Sequence, residues 1–237
     1  MKYFLSIPLL CLLLSSCGGT VENQMTLTGE IKGLKKGSLY LQKLEDTLFI
    51  SLDSMEVDGN SQFEFSAQVD SPEIHYLTLT FADSSNTVKR IPFFAEAKAM
   101  TVATDLNQYE IEASVNGSTN HEKLEQYLTL LERYQNKKLD LIEQGLNALK
   151  EGNDSLVNVI QTQQEKLLMS RYLATVNYAL NQAEYEVAPY LMLTEAYDAN
   201  IKYLDTIYGA LSPKIKDSKY GKELESFIQD RKQQENK

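Results

Sequence analysis

The stretch Asn116-Gly117-Ser118-Thr119-Asn120-His121-Glu122 divides the chain into a part with strand periodicity before it and a part with helical periodicity after it. Thr119, followed three residues later by Glu122, fits a capping box, in which the two side chains satisfy the first free N–H groups of a helix. We therefore predict that a long helix begins here, with Thr119 as its N-cap.

On the helical side, apolar residues recur at helical spacing up to about Lys150, where Gly152-Asn153-Asp154 interrupts the pattern. A second helix is predicted from about Ser155 to Gln182. Two helices joined by so short a turn should pack antiparallel, as a hairpin about 45 Å long. The apolar stripe of the first helix comprises Leu124, Tyr127, Leu128, Leu131, Tyr134, Leu141, Ile142, Leu146 and Leu149.

This predicted hairpin has a polar outer face that includes Gln161, Gln163 and Gln164. Its apolar stripe must be buried, and packing on the rest of the chain would suffice. A stripe that is only partly covered would instead be a protein-docking surface. Shorter helices are predicted near Val187 to Asp198, Asn200 to Leu211, and Ser218 to Asp230, and Ser212-Pro213 is an N-cap and N1 pair.

Before the boundary, short apolar–polar alternations separated by turn residues predict about eight strands. In Val57-Asp58-Gly59-Asn60-Ser61-Gln62-Phe63-Glu64-Phe65 we expect a hairpin, with Gly59 supplying a positive φ and both phenylalanines on one face. The number and spacing of the strands favour an antiparallel sandwich or open barrel. The other candidate strands are Thr26 to Ile31, Ser38 to Gln42, Thr47 to Ser51, Tyr76 to Phe81, Val88 to Phe94, Met100 to Thr104 and Tyr109 to Val115.

The first residues have the pattern of an export signal. Lys2 precedes a short apolar run from Phe4 to Leu14, and small residues lead to Cys17. The run is too short to span a bilayer, and Leu14-Ser15-Ser16-Cys17 matches the bacterial lipobox. We therefore predict cleavage before Cys17 and acylation of its thiol and new amine. The alternative is a plain signal peptide followed by a free Cys17.

Together these patterns predict an α+β chain with five parts. They are a signal peptide at 1–16, a lipidated tether at 17–24, a β-sandwich-like domain at 25–116, a helical domain with a long antiparallel helix hairpin at 117–232, and a frayed tail at 233–237.

Composition excludes several function classes. The chain of 237 residues carries a formal net charge of −10, so it has no electrostatic basis for binding nucleic acid. Its two cysteines are Cys11, inside the predicted signal, and Cys17. Once the signal is removed and Cys17 is acylated, no thiol remains for redox or nucleophilic chemistry. Stable attachment to a membrane would come from two or more acyl chains.

The strand-rich part resembles the N-terminal domain of unknown function found in cell-envelope lipoproteins of the Bacteroidota. The residues that carry the resemblance are Thr26-Leu27-Thr28-Gly29-Glu30-Ile31, Ser38-Leu39-Tyr40-Leu41, Asp53-Ser54-Met55-Glu56-Val57, Gln62-Phe63-Glu64-Phe65, Pro92-Phe93-Phe94 and Val115-Asn116-Gly117-Ser118-Thr119-Asn120. The stretch from Leu211 to Leu224 resembles the helical segment of the same proteins.

In many of those relatives the helical segment leads into a thioredoxin-like domain with a Cys-x-x-Cys pair, which makes them thiol:disulfide oxidoreductases. In this sequence nine residues follow Ile228, and they contain no such pair. The resemblance therefore implies the fold and the cell-envelope compartment, but it supplies no catalytic residue.

A direct search for catalytic, metal and cofactor motifs predicts none of them. His75 and His121 lie in different predicted elements, and no ligand spacing suggests a metal site. No Gly-x-Ser-x-Gly elbow and no phosphate-binding loop occurs. A glycosidase pair could hide in the acidic cluster of the strand region, but solvated surface is the favoured interpretation. That cluster comprises Glu45, Asp46, Asp53, Glu56 and Asp58.

Seven tyrosines run through the later helices, and core filling with hydroxyls at the edge is the favoured interpretation. A partner- or glycan-binding surface is the alternative. They are Tyr172, Tyr178, Tyr185, Tyr190, Tyr197, Tyr203 and Tyr208.

We therefore expect a non-catalytic, lipid-anchored envelope protein that acts as a protein-binding or accessory module, with a thioredoxin-like envelope protein as the candidate partner. A glycan- or peptide-binding lipoprotein, with an aromatic-lined pocket between its two domains, is the alternative. Gly18, rather than Asp, after the cysteine favours the outer membrane by analogy with enteric bacteria.

Overall fold

The computed structural model describes residues 23–81 and 87–235. Within them lie eight strands: β1 (Gln24–Lys32), β2 (Lys36–Glu45), β3 (Leu48–Asp58), β4 (Gln62–Gln68), β5 (Glu73–Thr80), β6 (Val88–Ala95), β7 (Ala99–Asp105) and β8 (Ser114–Asn116). Six α-helices follow: α1 (Thr119–Lys150), α2 (Asp154–Asn181), α3 (Val187–Thr194), α4 (Ile201–Ala210), α5 (Pro213–Asp217) and α6 (Lys219–Glu235). The predicted α+β class is confirmed.

The strands form two open four-stranded sheets. Their orders are β4-β1-β7-β8 and β3-β2-β5-β6, and we call them the first and the second sheet. Alternate residues of each strand point between the sheets and form one apolar core. Its members with the least exposure include Leu27, Leu39, Phe65, Leu77 and Phe93. This arrangement matches the sandwich-like prediction.

One strand pair differs from the antiparallel prediction. β1 and β7 pair in parallel, with Thr26 opposite Ala99 and Lys32 opposite Asp105. Parallel neighbours require a long crossover connection. Here the chain supplies one, because all four strands of the second sheet, together with β4, lie between β1 and β7.

The predicted hairpin across Asp58 and Gly59 is wrong as a hairpin, although the turn itself is present. β3 pairs with β2 and β4 pairs with β1, so the turn carries the chain from one sheet to the other. Gly59 does adopt a positive φ of 91°, and its N–H donates to the Lys35 carbonyl at 2.8 Å. Phe63 and Phe65 share the buried face, as predicted.

The long hairpin of the second sheet is β2–β3. The two strands join through Asp46 and Thr47, and Asp46 has a φ of 53°. The sequence prediction placed short strands here and missed the pairing. Aspartate tolerates the left-handed region, but Asp-Thr is a weaker turn signal than the Asp-Gly pair that suggested a hairpin elsewhere.

The predicted strand Tyr109 to Val115 is mostly a turn. A 3₁₀ helix at Leu106–Gln108 precedes it, and the short strand β8 follows. The Tyr109 side chain leaves this turn for the core, where its hydroxyl donates to the Leu77 carbonyl at 3.1 Å. Its apolar ring therefore marks a core anchor rather than a strand residue.

The two long helices agree with the sequence prediction to within a residue or two. Helix α3 ends at Thr194, four residues before the predicted Asp198. The buried Ala196 and Ala199 continue the apolar spacing that suggested a longer helix, but they lie in a turn. Helix α6 continues to Glu235, so residues 233–235 of the predicted frayed tail are helical. The Arg231 guanidinium donates to the Tyr197 carbonyl at 2.6 Å, which holds this last part against the turn after α3.

The predicted signal peptide 1–16, Cys17 and most of the tether lie outside the described residues. Among the helices that the structure describes, none combines the length and the apolar character needed to cross a bilayer.

Two helical glycines provide a matched test of packing at the α5–α6 corner. A Cβ on Gly221 would overlap the Ile215 carbonyl oxygen and lie 2.8 Å from the Lys216 Cα, whereas a Cβ on Gly209 would meet nothing within 4 Å. We expect Gly221→Ala to lower the free energy of unfolding by about 2 kcal/mol. Gly209→Ala should raise it by about 0.5–1 kcal/mol. Urea unfolding of both variants measures this, and similar changes would contradict the close approach at Gly221.

Candidate functional site: the sheet–helix junction and the helical hairpin

The N-cap of helix α1 lies one residue earlier than the sequence suggested. Ser118, not Thr119, is the N-cap, and its Oγ accepts a hydrogen bond from the His121 N–H at 3.1 Å. The preceding Gly117 has a φ of 96°, and a Cβ there would lie 2.5 Å from the Ala99 carbonyl oxygen. The positive φ and the approach of β7 therefore require glycine at position 117, and the Thr119 hydroxyl accepts a hydrogen bond from Lys98 instead of capping the helix.

The side chain of Asn120, in the first turn of α1, joins the sheets to the helices. Its Nδ2 donates to Glu96 Oε1 at 3.1 Å and to Glu186 Oε2 at 2.9 Å. Its Oδ1 accepts from the Val187 N–H, at the start of α3, at 2.9 Å. Asn120, Glu96 and Glu186 are each at most 5% exposed. One amide thus connects the β6–β7 turn, α1 and α3.

Glu96 stays ionised at this buried position because donors surround it. Its Oε1 accepts from the Asn120 N–H at 2.7 Å and the Ser118 hydroxyl at 3.0 Å, and Lys98 Nζ lies 2.6 Å from its Oε2. Burial alone would raise the pKa of Glu96, but these hydrogen bonds lower it below its ordinary value. The carboxylate is thereby used in structural bonds.

A second contact fixes the C-terminal helix to the second sheet. The Tyr220 hydroxyl accepts the Ile74 N–H at 2.9 Å, and Lys219 forms an ion pair with Glu73. Burial of Glu73 favours its neutral form, but hydrogen bonds from His75 and Lys219 and the charge of Lys219 lower its pKa to about 2. At neutral pH, α6 is therefore held to β5 by a charged pair.

Both histidines lie near this junction but not together. His75 is a buried strand residue whose Nε2 is 3.4 Å from Glu73, and His121 lies 3.5 Å from Glu125 in α1. Burial lowers the pKa of His121. Among residues 23–81 and 87–235, no three His, Cys, Asp or Glu side chains are grouped closely enough to hold a metal ion.

Aromatic rings fill the space between the second sheet and the helices. Phe94, Tyr190 and Tyr220 form a cluster with ring centroids 5.1–6.0 Å apart, and Tyr127 packs on Tyr178 at 5.4 Å. The alternative that predicted an aromatic-lined pocket at this boundary depends on such rings. Here the rings pack on one another.

The tyrosines singled out in the sequence mostly fill helical packing with their hydroxyls at its edge, as expected. The Tyr172 hydroxyl donates to Asp198 at 2.6 Å, and that of Tyr178 donates to the Lys123 carbonyl at 2.6 Å. Tyr185, Tyr190, Tyr203 and Tyr208 are partly buried against the same clusters. Tyr197 is 54% exposed.

Far from the junction, the apolar contacts that α1 and α2 make among the described residues are with each other. We call residues 135–168 the distal hairpin. Its core consists of Leu141, Ala148 and Ile160, with Val157 and Leu167 packed against them. No described residue of another element belongs to this cluster, so the distal hairpin projects from the body of the protein.

One side of the distal hairpin exposes an apolar row, which we call the α1 stripe. It comprises Leu139, Ile142, Leu146 and Leu149, which are 64, 40, 55 and 60% exposed. Their spacing of three, four and three residues is the repeat of a coiled-coil seam. Three of these residues belong to the stripe predicted from the sequence, and the structure leaves them in solvent.

The whole arrangement is that of a two-part α+β protein with a braced junction and a projecting helical hairpin. Residues 25–124 match the model of a domain of unknown function (DUF4369), so the chain contains this domain. It is the domain that precedes thioredoxin-like domains, and no thioredoxin-like domain is matched in this chain. No curated protein matches the chain.

The hydrogen bonds of the Asn120 side chain to Glu96, Glu186 and Val187, which we call the Asn120 bridge, were missed in the sequence analysis. The capping pattern drew attention to Thr119 and Glu122. The acceptors of the Asn120 side chain, Glu96 and Glu186, are distant from it in the chain. The one local signal was an uncharged polar residue in the first turn of a helix, and this does not identify a partner.

Because of the Asn120 bridge, a substitution of this one residue should have a large effect on the free energy of unfolding. Asn120→Ala removes donors from two buried carboxylates, so we expect the free energy of unfolding to fall by about 3 kcal/mol or more. Asn116→Ala, at an exposed residue bonded only to Ser114, should change it by less than about 0.5 kcal/mol. Urea unfolding followed by circular dichroism gives both values. Equal effects would show that the bridge does not stabilise the junction.

Proposed function

We propose that this protein is a non-catalytic, lipid-anchored cell-envelope protein whose helical hairpin binds a protein partner. The α1 stripe is the observation that supports the proposal most strongly. Exposed leucines in a coiled-coil spacing are costly in water unless another helical surface covers them. An amphipathic helix or helix pair is the partner structure that this row accepts.

The charge of the distal hairpin also favours a protein partner. Residues 135–168 contain four lysines and five acidic residues, in a chain whose net charge is −10. A nearly neutral surface neither attracts nor repels a charged partner strongly over long range. Binding there would depend on apolar contact rather than on charge.

A thioredoxin-like envelope protein is the candidate partner. The DUF4369 domain precedes thioredoxin-like domains, and in this proposal such a domain acts as a separate chain. The protein described here would then position its partner at the membrane. It would contribute no catalytic group, which is consistent with Glu96, Glu186 and Glu73 all being engaged in structural bonds.

The anchor in this proposal is Cys17 in Leu14-Ser15-Ser16-Cys17, with the outer membrane as the proposed location because Gly18 follows. The acyl chains would hold β1 within a short tether of the membrane surface.

The proposed protein partner can be tested by crosslinking in intact cells, followed by purification of the protein and mass spectrometry. We expect a thioredoxin-like envelope protein to be recovered with the wild-type protein. Leu146→Lys with Leu149→Lys should reduce its recovery about tenfold, because two charges on the stripe oppose apolar contact.

The control is Gln161→Lys with Gln163→Lys, which adds the same charge at exposed positions of the polar face. Unchanged recovery with the stripe variant, or equal loss with the control, would reject the stripe as the binding surface.

The anchor prediction uses labelling with a radioactive or clickable palmitate. The wild-type protein should take up the label and separate with membranes, whereas Cys17→Ser should remain unlabelled and uncleaved, because the thiol is the acylation site. Label on the Cys17→Ser variant would contradict lipidation at this residue.

A further inference from the structure

We propose that the free edge of β3, at Leu48-Phe49-Ile50-Ser51-Leu52, binds an extended protein segment that has an uncharged β-forming core and lysine or arginine flanks. The segment would add a strand to the second sheet. This inference depends on the sheet topology and the charges alone, and it does not require the hairpin function proposed above.

The first observation is that β3 is an edge strand, and no strand of the described residues pairs with the outer side of this part of it. In the order β3-β2-β5-β6, it pairs only with β2. Its later part is covered, because the Asp53 carboxylate accepts the Ser66 N–H of β4 at 3.2 Å. Backbone groups on the outer edge of residues 48–52 have no partner among the described residues.

The second observation is that this edge lacks the usual protection. Exposed edges are commonly blocked by charge, proline or a bulge within the open stretch. Residues 47–52 contain no charge and no proline, and the register shift of β3 falls at Leu52, at the end of the open part. Leu48, Phe49 and Ile50 are 67, 38 and 37% exposed. Such an edge accepts another strand.

The acidic residues around this edge indicate the charge of the segment that would bind to it. Residues 44–58 contain five acidic residues and no lysine or arginine. Lys43 neutralises Glu45 at 2.6 Å, Lys36 approaches Asp58 at 3.7 Å, and the Arg90 guanidinium lies 4.2 Å from the Phe49 ring centroid. Asp46, Asp53 and Glu56 have no ion pair among the described residues. Basic flanks on an incoming strand would face these carboxylates.

The same charges disfavour a second copy of this chain. Two β3 edges paired antiparallel would bring Asp46 of one copy close to Asp53 and Glu56 of the other, and these carboxylates have no ion pair among the described residues. Like charges facing each other across paired strands are destabilising. A basic-flanked segment from another protein is therefore the occupant to which we commit.

The test uses the full chain in detergent and two fluorescent peptides with a core of alternating valine and threonine. One peptide carries lysine pairs at both ends, and the other carries glutamate pairs. Anisotropy titration should show binding of the lysine-flanked peptide and at least tenfold weaker binding of the glutamate-flanked one. No binding of the lysine-flanked peptide would overturn the proposal.

Ile50→Glu tests the location. It leaves the attraction for lysine in place and interrupts the apolar edge, so binding should weaken at least tenfold. The matched control is Val88→Glu, on β6 at the opposite edge of the same sheet, where valine is 43% exposed. Equal binding by the wild-type and Ile50→Glu proteins would overturn the assignment to β3.

Two further measurements separate this proposal from its rivals. Leu146→Lys with Leu149→Lys should bind the peptide normally, so that failure of the hairpin function and failure of the edge site give different results. Sedimentation of the wild-type protein should show a monomer. A dimer that Ile50→Glu dissociates would identify a second copy as the occupant and overturn the commitment to a basic segment.

Discussion

The hydrogen bonds of the Asn120 side chain are the interaction on which the relative placement of the two parts depends. Glu96 comes from the turn between β6 and β7, and Glu186 from the start of α3. Neither carboxylate could stay buried without donors, and one amide serves both. At α6, the Glu73–Lys219 ion pair and the hydrogen bond from the Ile74 N–H to the Tyr220 hydroxyl likewise join a helix to a strand. These polar contacts, together with the apolar cluster of Ile74, Phe94, Tyr127 and Leu131, hold the helices against the second sheet.

This bracing explains why the hairpin can project. Its base is anchored by the Asn120 bridge and by the packing of Tyr127 and Leu131, so the distal hairpin needs only its own small core. The protein then presents two exposed apolar surfaces with different charge. The α1 stripe lies on a nearly neutral hairpin, whereas the β3 edge lies within an acidic cluster. Partners with different chemistry suit the two surfaces.

Much of the local structure was predictable from the sequence, and particular residues show why. The apolar spacing from Leu124 to Leu149 and the break at Gly152-Asn153-Asp154 predicted a helical hairpin, and Gly59 predicted a turn with positive φ, because these patterns depend on neighbouring residues only. Tyr109 was misassigned to a strand, since an apolar ring has the same pattern whether it continues a strand or enters the core from a turn. The N-cap is Ser118 rather than Thr119, because the Ser118 hydroxyl accepts the His121 N–H while the Thr119 hydroxyl accepts from Lys98.

By itself, the sequence determined the α+β class, the boundary near residue 117, the two long helices and most of the strand positions. These follow from periods of two and about 3.6 residues, which backbone geometry sets locally. Tertiary structure alone decided that β1 lies parallel to β7, that β3 and β4 belong to different sheets, and that Asn120 bridges two buried acids. It also left the α1 stripe and the β3 edge uncovered. Each of these depends on residues far apart in the chain, whose proximity no local period encodes.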